Sequence, residues 1–144
     1  MDKVTVKLGS GYRTGATSRE HVWHADLPES SGGGNANGTP EEMLLAALGS
    51  CMAQTAKLYA TRKEWPLEGV DVTLEVQRFN AGDYDAYEGD ERFIHEIREH
   101  IVFHGPLDDA QRDRLREITG KCPVRRIIST PSFFVDFENA PQPE

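Results

Sequence analysis

The chain has 144 residues, the length of one ordinary domain, and its 38% hydrophobic and 28% charged residues give a globular balance, not a disordered one. A formal net charge of -8 argues against DNA or RNA as a partner, because nucleic-acid binding shows a basic face. No apolar run reaches the roughly 18 residues that a membrane span needs.

The N-terminal MDKVTVKLGSG lacks a basic region followed by an apolar one, so no signal peptide is expected and the cytoplasm is the expected compartment. There, Cys51 and Cys122 are expected to be reduced, catalytic or redox-sensing, not a permanent staple. One domain spanning 1–144 is expected, with a small core to which a partner subunit could contribute.

Val4, Val6 and Leu8 alternate with polar residues and predict a strand with one wet face. Residues 9–15 hold three glycines around Tyr12 and Arg13, where the strand bends or ends. A second strand is expected over 21–27, with 14–18 as the hairpin connection. The stretch PESSGGGNANG, residues 28–38, is a flexible loop, and it lacks the Lys-Ser/Thr ending of a phosphate-binding loop.

A strong helix start follows. Thr39 can cap, Pro40 suits the first helical position, and Glu42 completes a capping-box pattern with Thr39. The apolar face is expected along Leu44, Ala47, Leu48, Cys51, Thr55 and Leu58, with Met43, Ala46 and Tyr59 beside it. Gly49 inside the helix costs roughly 1 kcal/mol relative to alanine. Its presence suggests close packing against another backbone. The helix is expected to fray through Arg62 and Lys63 and to end before Pro66.

GVDVTLEVQRF, residues 69–79, alternates cleanly and predicts a strand. Residues 80–91 form an acidic loop whose spacing fails the calcium-loop pattern. RFIHEIREHIVFH, residues 92–104, is the next strand, with Phe93, Ile97, Ile101 and Phe103 on one face. Asp108 with Gln111 opens a second helix that ends at Gly120. Strands are expected over 124–130 and 132–137, interrupted by Pro131, and the tail APQPE is expected to be loose. The order gives an α+β class with mainly antiparallel pairing.

HEIREH invites a zinc-protease reading and fails it. The motif needs two histidines four apart on one helix, whereas His95 and His100 are five apart on a strand pattern that sends them to opposite faces. No G-x-S-x-G is present to make a hydrolase nucleophile elbow.

The cysteines remain. A thiol reacts as thiolate and needs positive charge nearby. Cys51 has none on its own helix, so either it is an inert core cysteine or its activation comes from elsewhere. Cys122, with Lys121, Arg125 and Arg126 beside it, is the more reactive by local charge alone.

GTPEEMLLAALGSCMAQTAKLYATRKEWPLEGVDVTLEV resembles the OsmC/Ohr family, with the pair Pro40-Glu41 followed, ten residues after Glu41, by Cys51. GPLDDAQRDRLREITGKCPVRRIIS resembles the segment carrying the family's second cysteine in a Cys-Pro pair. The resemblance implies the OsmC-like fold, α+β, with a central cysteine-bearing helix in an intertwined homodimer. It implies a cysteine-based peroxidase, an antioxidant stress-response protein that reduces organic hydroperoxides. Cys51 is then the peroxidatic thiol, Cys122 the resolving one and Glu41 the active-site glutamate. Arg13 in GSGYRTG best matches the family's arginine, with Arg19 as the fallback. This departs from the Gly-Gly-Arg run of the hydroperoxide-resistance branch, and the chain looks closer to other OsmC-like members.

The implied partners are an organic hydroperoxide and an external dithiol, of lipoyl type in the hydroperoxide-resistance branch. No metal, haem or flavin is called for. The alternative is a non-catalytic OsmC-like protein that senses redox state or binds a small ligand. Glu41 and Cys51 sit roughly 15 Å apart along a straight helix. The expected remedy is that Arg13 and Glu41 of one subunit serve Cys51 of the other, or that the helix breaks.

Overall fold

The computed structural model describes residues 3–140, and the end of the expected loose tail, 141–144, lies outside them. The chain divides into two compact units, one up to Ala47 and one from Leu48.

The first unit holds a three-stranded antiparallel sheet of β1 (Thr5–Leu8), β2 (Thr14–Ser18) and β3 (His21–Ala25) in the order β1-β2-β3. Residues 14–18 are therefore a central strand and not a hairpin connection. TGATS has no large side chain to betray the alternation, yet Ala16 and Ser18 are buried. The reversal into β3 falls at Arg19, whose φ of 53° gives the left-handed turn. Val6 and Leu8 of β1, and Val4 just before it, are exposed.

Asp26 organises the following loop. Its carboxylate accepts hydrogen bonds from the main-chain N–H groups of Leu27 at 2.8 Å, Gly34 at 3.2 Å and Ala36 at 3.0 Å. The N–H of Ala36 first, then that of Leu27, hold the Asp26 carboxyl below its ordinary range. At Gly33 a Cβ would stand 2.1 Å from the Leu27 carbonyl oxygen, so only glycine fits.

α1 (Pro40–Arg62) starts as its capping box requires. The Glu42 N–H donates to Thr39 Oγ1 at 3.2 Å, and the Thr39 N–H donates to Glu42 Oε2 at 2.8 Å.

In the second unit, β4 (Gly69–Asn80) and β5 (Phe93–His104) form a two-stranded antiparallel sheet, with Val70 opposite Phe103 and Val72 opposite Ile101. α2 (Asp109–Thr119) opens on a full Asp108–Gln111 capping box. The core joins Leu48, Met52, Ala56 and Ala60 of α1 to Leu67, Ile101, Phe103, Leu107, Leu115 and Cys122. Full burial of Met52 and Leu115 contributes roughly 1.5–3 kcal/mol each.

The buried stripe of α1 follows an i, i+4 row of Leu48, Met52, Ala56 and Ala60, rotated from the expected one. Leu44 is 48% exposed and Leu58 is 59% exposed. Small Ala56 and Ala60 face inward because they permit close packing. Gly49 also departs from expectation. A Cβ there would meet side chains, Leu74 at 3.5 Å and Val72 at 3.7 Å, and not a backbone.

The C-terminal strands predicted over 124–130 and 132–137 do not form. Residues 123–129 are instead a short helix, α3 (Pro123–Ser129). Pro123 is pre-set for the first helical position, and Cys122 caps it. Ser129 and Thr130 donate their hydroxyls back to the carbonyls of Arg125 and Arg126. These local bonds outweigh the strand preference of Val124, Ile127 and Ile128. After Pro131 the chain pairs with no strand among the described residues and makes one 3-10 turn, Phe137–Asn139.

Candidate active site

Cys51 sits on α1, half-buried, packed against the core that contains Cys122. Its carbonyl accepts the Thr55 hydroxyl at 2.7 Å. Cys122 follows α2 and is 0% exposed. Its Sγ accepts the Arg125 main-chain N–H at 3.4 Å. Both cysteines are free thiols, and Cys51 lies near enough to Cys122 to help push its thiol up. The helix of one motif and the cap of another, far apart in sequence, thus bring the two cysteines to the same core.

The electrostatics of Cys122 run against its local charge. Burial pushes the thiol up from its ordinary value, and the nearby Cys51 thiol adds to this. The Arg125 N–H and guanidinium pull the other way without reversing the shift. The cationic neighbourhood that marks Cys122 as reactive in the sequence does not compensate for loss of water.

Arg125 is anchored as well. Its Nη1 donates to Glu99 Oε2 on β5 at 2.7 Å. The pair lines an open groove of about 290 Å³ with Leu48, His95, Ile97 and Ile128. Glu99 was not foreseen. The only available hint was Arg125 three residues after Cys122. HEIREH forms part of strand β5, so it lacks the helix that the zinc motif requires.

Arg13 and Glu41 lie in the unit that ends at Ala47, and both cysteines lie in the unit that begins at Leu48. Arg13 donates from Nε to Asn37 Oδ1 at 2.8 Å, tying the turn before β2 to the Gly/Asn loop. Glu41 is exposed in the first turn of α1, where a negative charge favours the helix N-terminus. Arg19, the fallback arginine, occupies the β2–β3 turn.

The family model for OsmC-like protein matches residues 32–136. The chain belongs to the OsmC-like family. An OsmC-like protein of Mycoplasma pneumoniae shares 20% identity and superposes with a TM-score of 0.72, over 90% of this chain and 87% of that one. An organic hydroperoxide resistance protein of Legionella pneumophila gives 18% identity and 0.63, over 89% and 88%. The organic hydroperoxide resistance protein OhrB of Bacillus subtilis gives 16% and 0.59, over 88% of each chain. At these identities the likeness establishes the OsmC/Ohr fold. No curated protein sequence matches the chain. The OsmC/Ohr family includes hydroperoxide-reducing enzymes. Among the described residues, no helix is long and apolar enough to cross a membrane.

Proposed function

We propose that this OsmC-like chain is a thiol-dependent peroxidase that reduces organic hydroperoxides through Cys51 and Cys122. The observation that carries this is that two free thiols of unequal exposure share one core, Cys51 packing against the cluster that contains Cys122. Cys51, the half-buried one, is within reach of substrate, whereas Cys122 is sealed and suited to act second.

The Cys51 thiolate attacks the distal peroxide oxygen, the O–O bond breaks, and the alcohol leaves with a proton. The resulting sulfenic acid condenses with the Cys122 thiol, forming a disulfide and releasing water. An external dithiol, of lipoyl type in this proposal, then reduces the disulfide by exchange. The net reaction converts one hydroperoxide and one dithiol into alcohol, water and an oxidised dithiol.

Activation of Cys51 is assigned to Arg13, whose fixed charge favours the thiolate and whose donors orient the peroxide. Glu41 holds that arginine by a charge-assisted pair. The proposal has Arg13 and Glu41 of one subunit serving Cys51 of its partner in a cytoplasmic homodimer. The unbroken α1 supports this over a broken helix. Exposed apolar residues support it too: Phe133 is 87% exposed, Phe134 is 101% exposed, and Val4 with Val6 and Leu8 of β1 lie open.

The test is peroxide loss from cumene hydroperoxide with dihydrolipoamide present. Catalytic turnover abolished by Cys51→Ser is expected. Turnover that survives the substitution refutes the mechanism, and oxidation of Cys51 without turnover identifies a redox sensor instead.

A further inference from the structure

Thiol–disulfide exchange has a direction, decided by which sulfur is accessible and which leaves more readily as thiolate. The inference here rests on the reading above, that Cys51 and Cys122 cycle through a disulfide.

Access is unequal. Cys122 is 0% exposed, enclosed among core residues, while Cys51 is half-buried. An incoming thiolate therefore meets Cys51 Sγ first. The leaving sulfur is then Cys122, in surroundings where burial disfavours a charge. Two groups of one residue counter that burial. The main-chain N–H of Arg125 already points at Cys122 Sγ at 3.4 Å. The guanidinium supplies positive charge and is fixed by Glu99 on β5 at 2.7 Å. A thiolate accepts an N–H bond better than a thiol does, so this arrangement strengthens as the charge develops.

We propose that the dithiol attacks Cys51 only, expelling Cys122 as thiolate, and that Arg125, braced by Glu99, is the positioning residue that receives it. The reductant's thiolate forms a bond to Cys51 Sγ. The Cys51–Cys122 bond breaks, and its electron pair goes to Cys122 Sγ. The reductant's second sulfur, as thiolate, then attacks the first and releases Cys51. The two protons of the dithiol end on the two cysteines, and the reductant leaves as a cyclic disulfide.

The experiment uses the full chain oxidised with diamide, so that no peroxidase activity is needed to form the disulfide. Reduction by dithiothreitol is followed by stopped flow in wild type, Arg125→Met, Arg125→Gln and Arg125→Lys. Methionine and glutamine remove the charge while the main-chain N–H stays. The expected result is reduction about three- to tenfold slower in both neutral variants, as a poorer leaving thiolate dictates, and near-normal in Arg125→Lys. With glutathione in place of the dithiol, mass spectrometry is expected to find the adduct on Cys51.

Equal rates in all four proteins overturn the proposal, as does an adduct on Cys122. A purely structural arginine gives the opposite sign, because loosening α3 exposes the disulfide and speeds its reduction, together with a fall in melting temperature. Failure of diamide to join Cys51 to Cys122 removes the cysteine-pair reading and this inference with it. A pair that closes but shows no Arg125 effect removes this inference alone.

Discussion

Gly49 offers a sharp test of how α1 is packed. It sits mid-helix, half-buried, two residues before Cys51. A Cβ built there stands 3.5 Å from Leu74 Cδ1, 3.7 Å from Val72 Cγ1 and 3.8 Å from Val72 Cβ. Those are ordinary van der Waals separations to side chains of β4, with no backbone in the way. Gly49→Ala should therefore remove the helix penalty of about 0.8–1 kcal/mol. The added methyl, partly buried against Val72 and Leu74, contributes up to about 0.8 kcal/mol more. The sum is a stabilisation of about 0.8–1.8 kcal/mol, or a rise of roughly 3–6 °C in melting temperature for a chain of this size. The assay is urea unfolding with the slope monitored, at one fixed protein concentration because the proposed dimer's stability depends on it. Peroxide turnover should be retained, since the methyl points at β4. A lower urea midpoint in Gly49→Ala refutes the reasoning, because it requires a neighbour at Gly49 that these contacts do not include.

Three further outcomes are expected. Cys122→Ser should let one equivalent of hydroperoxide oxidise Cys51 to sulfenic acid and then stall; mass spectra should show added oxygen on Cys51 and no disulfide, and steady turnover equal to wild type would contradict a resolving role. Glu117 accepts from Lys121 at 2.8 Å and from Arg114 at 2.6 Å, which lowers its carboxyl from 4.5 to about 2. A depressed carboxylate contributes stability above its unfolded value and loses it as pH falls through about 2, so the melting-temperature gap between wild type and Glu117→Gln should be open at pH 6 and close toward pH 2; a gap of constant size opposes this. Leu115, 0% exposed in the core, should cost roughly 2–5 kcal/mol when truncated to alanine, read by chemical denaturation, and a loss well under 1 kcal/mol would mean the site collapses freely.

How far the sequence revealed this fold depended on whether the deciding interactions were local. Both capping boxes were legible because Thr39 with Glu42, and Asp108 with Gln111, complete their bonds within four residues. β4 and β5 were legible because alternation survives in Val70, Val72 and Leu74. β2 was not, because TGATS has only small side chains and takes its place from pairing with β1 and β3 on either side. α1 is apolar around much of its circumference, so its buried stripe was settled by which residues permit close approach, Ala56 and Ala60, over larger Leu44 and Leu58. α3 was misread because Val124, Ile127 and Ile128 favour a strand, while a proline, a cysteine cap and two back-bonded hydroxyls made a helix.

The two cysteines show the same limit at the site. Local charge favoured Cys122, with Lys121, Arg125 and Arg126 in sequence around it. The fold places that sulfur at 0% exposure, and desolvation is the largest influence on it, so the thiol is pushed up. Arg125 spends its guanidinium on Glu99, a partner 26 residues away that no spacing rule finds. Charge counted along a sequence assumes that every neighbour acts through water and from the same side. Burial breaks the first assumption, and the Glu99 pair, reaching from strand β5 to helix α3, breaks the second. Cys51, the cysteine with the less promising neighbours, is the more exposed of the two, and access governs the first step of thiol chemistry.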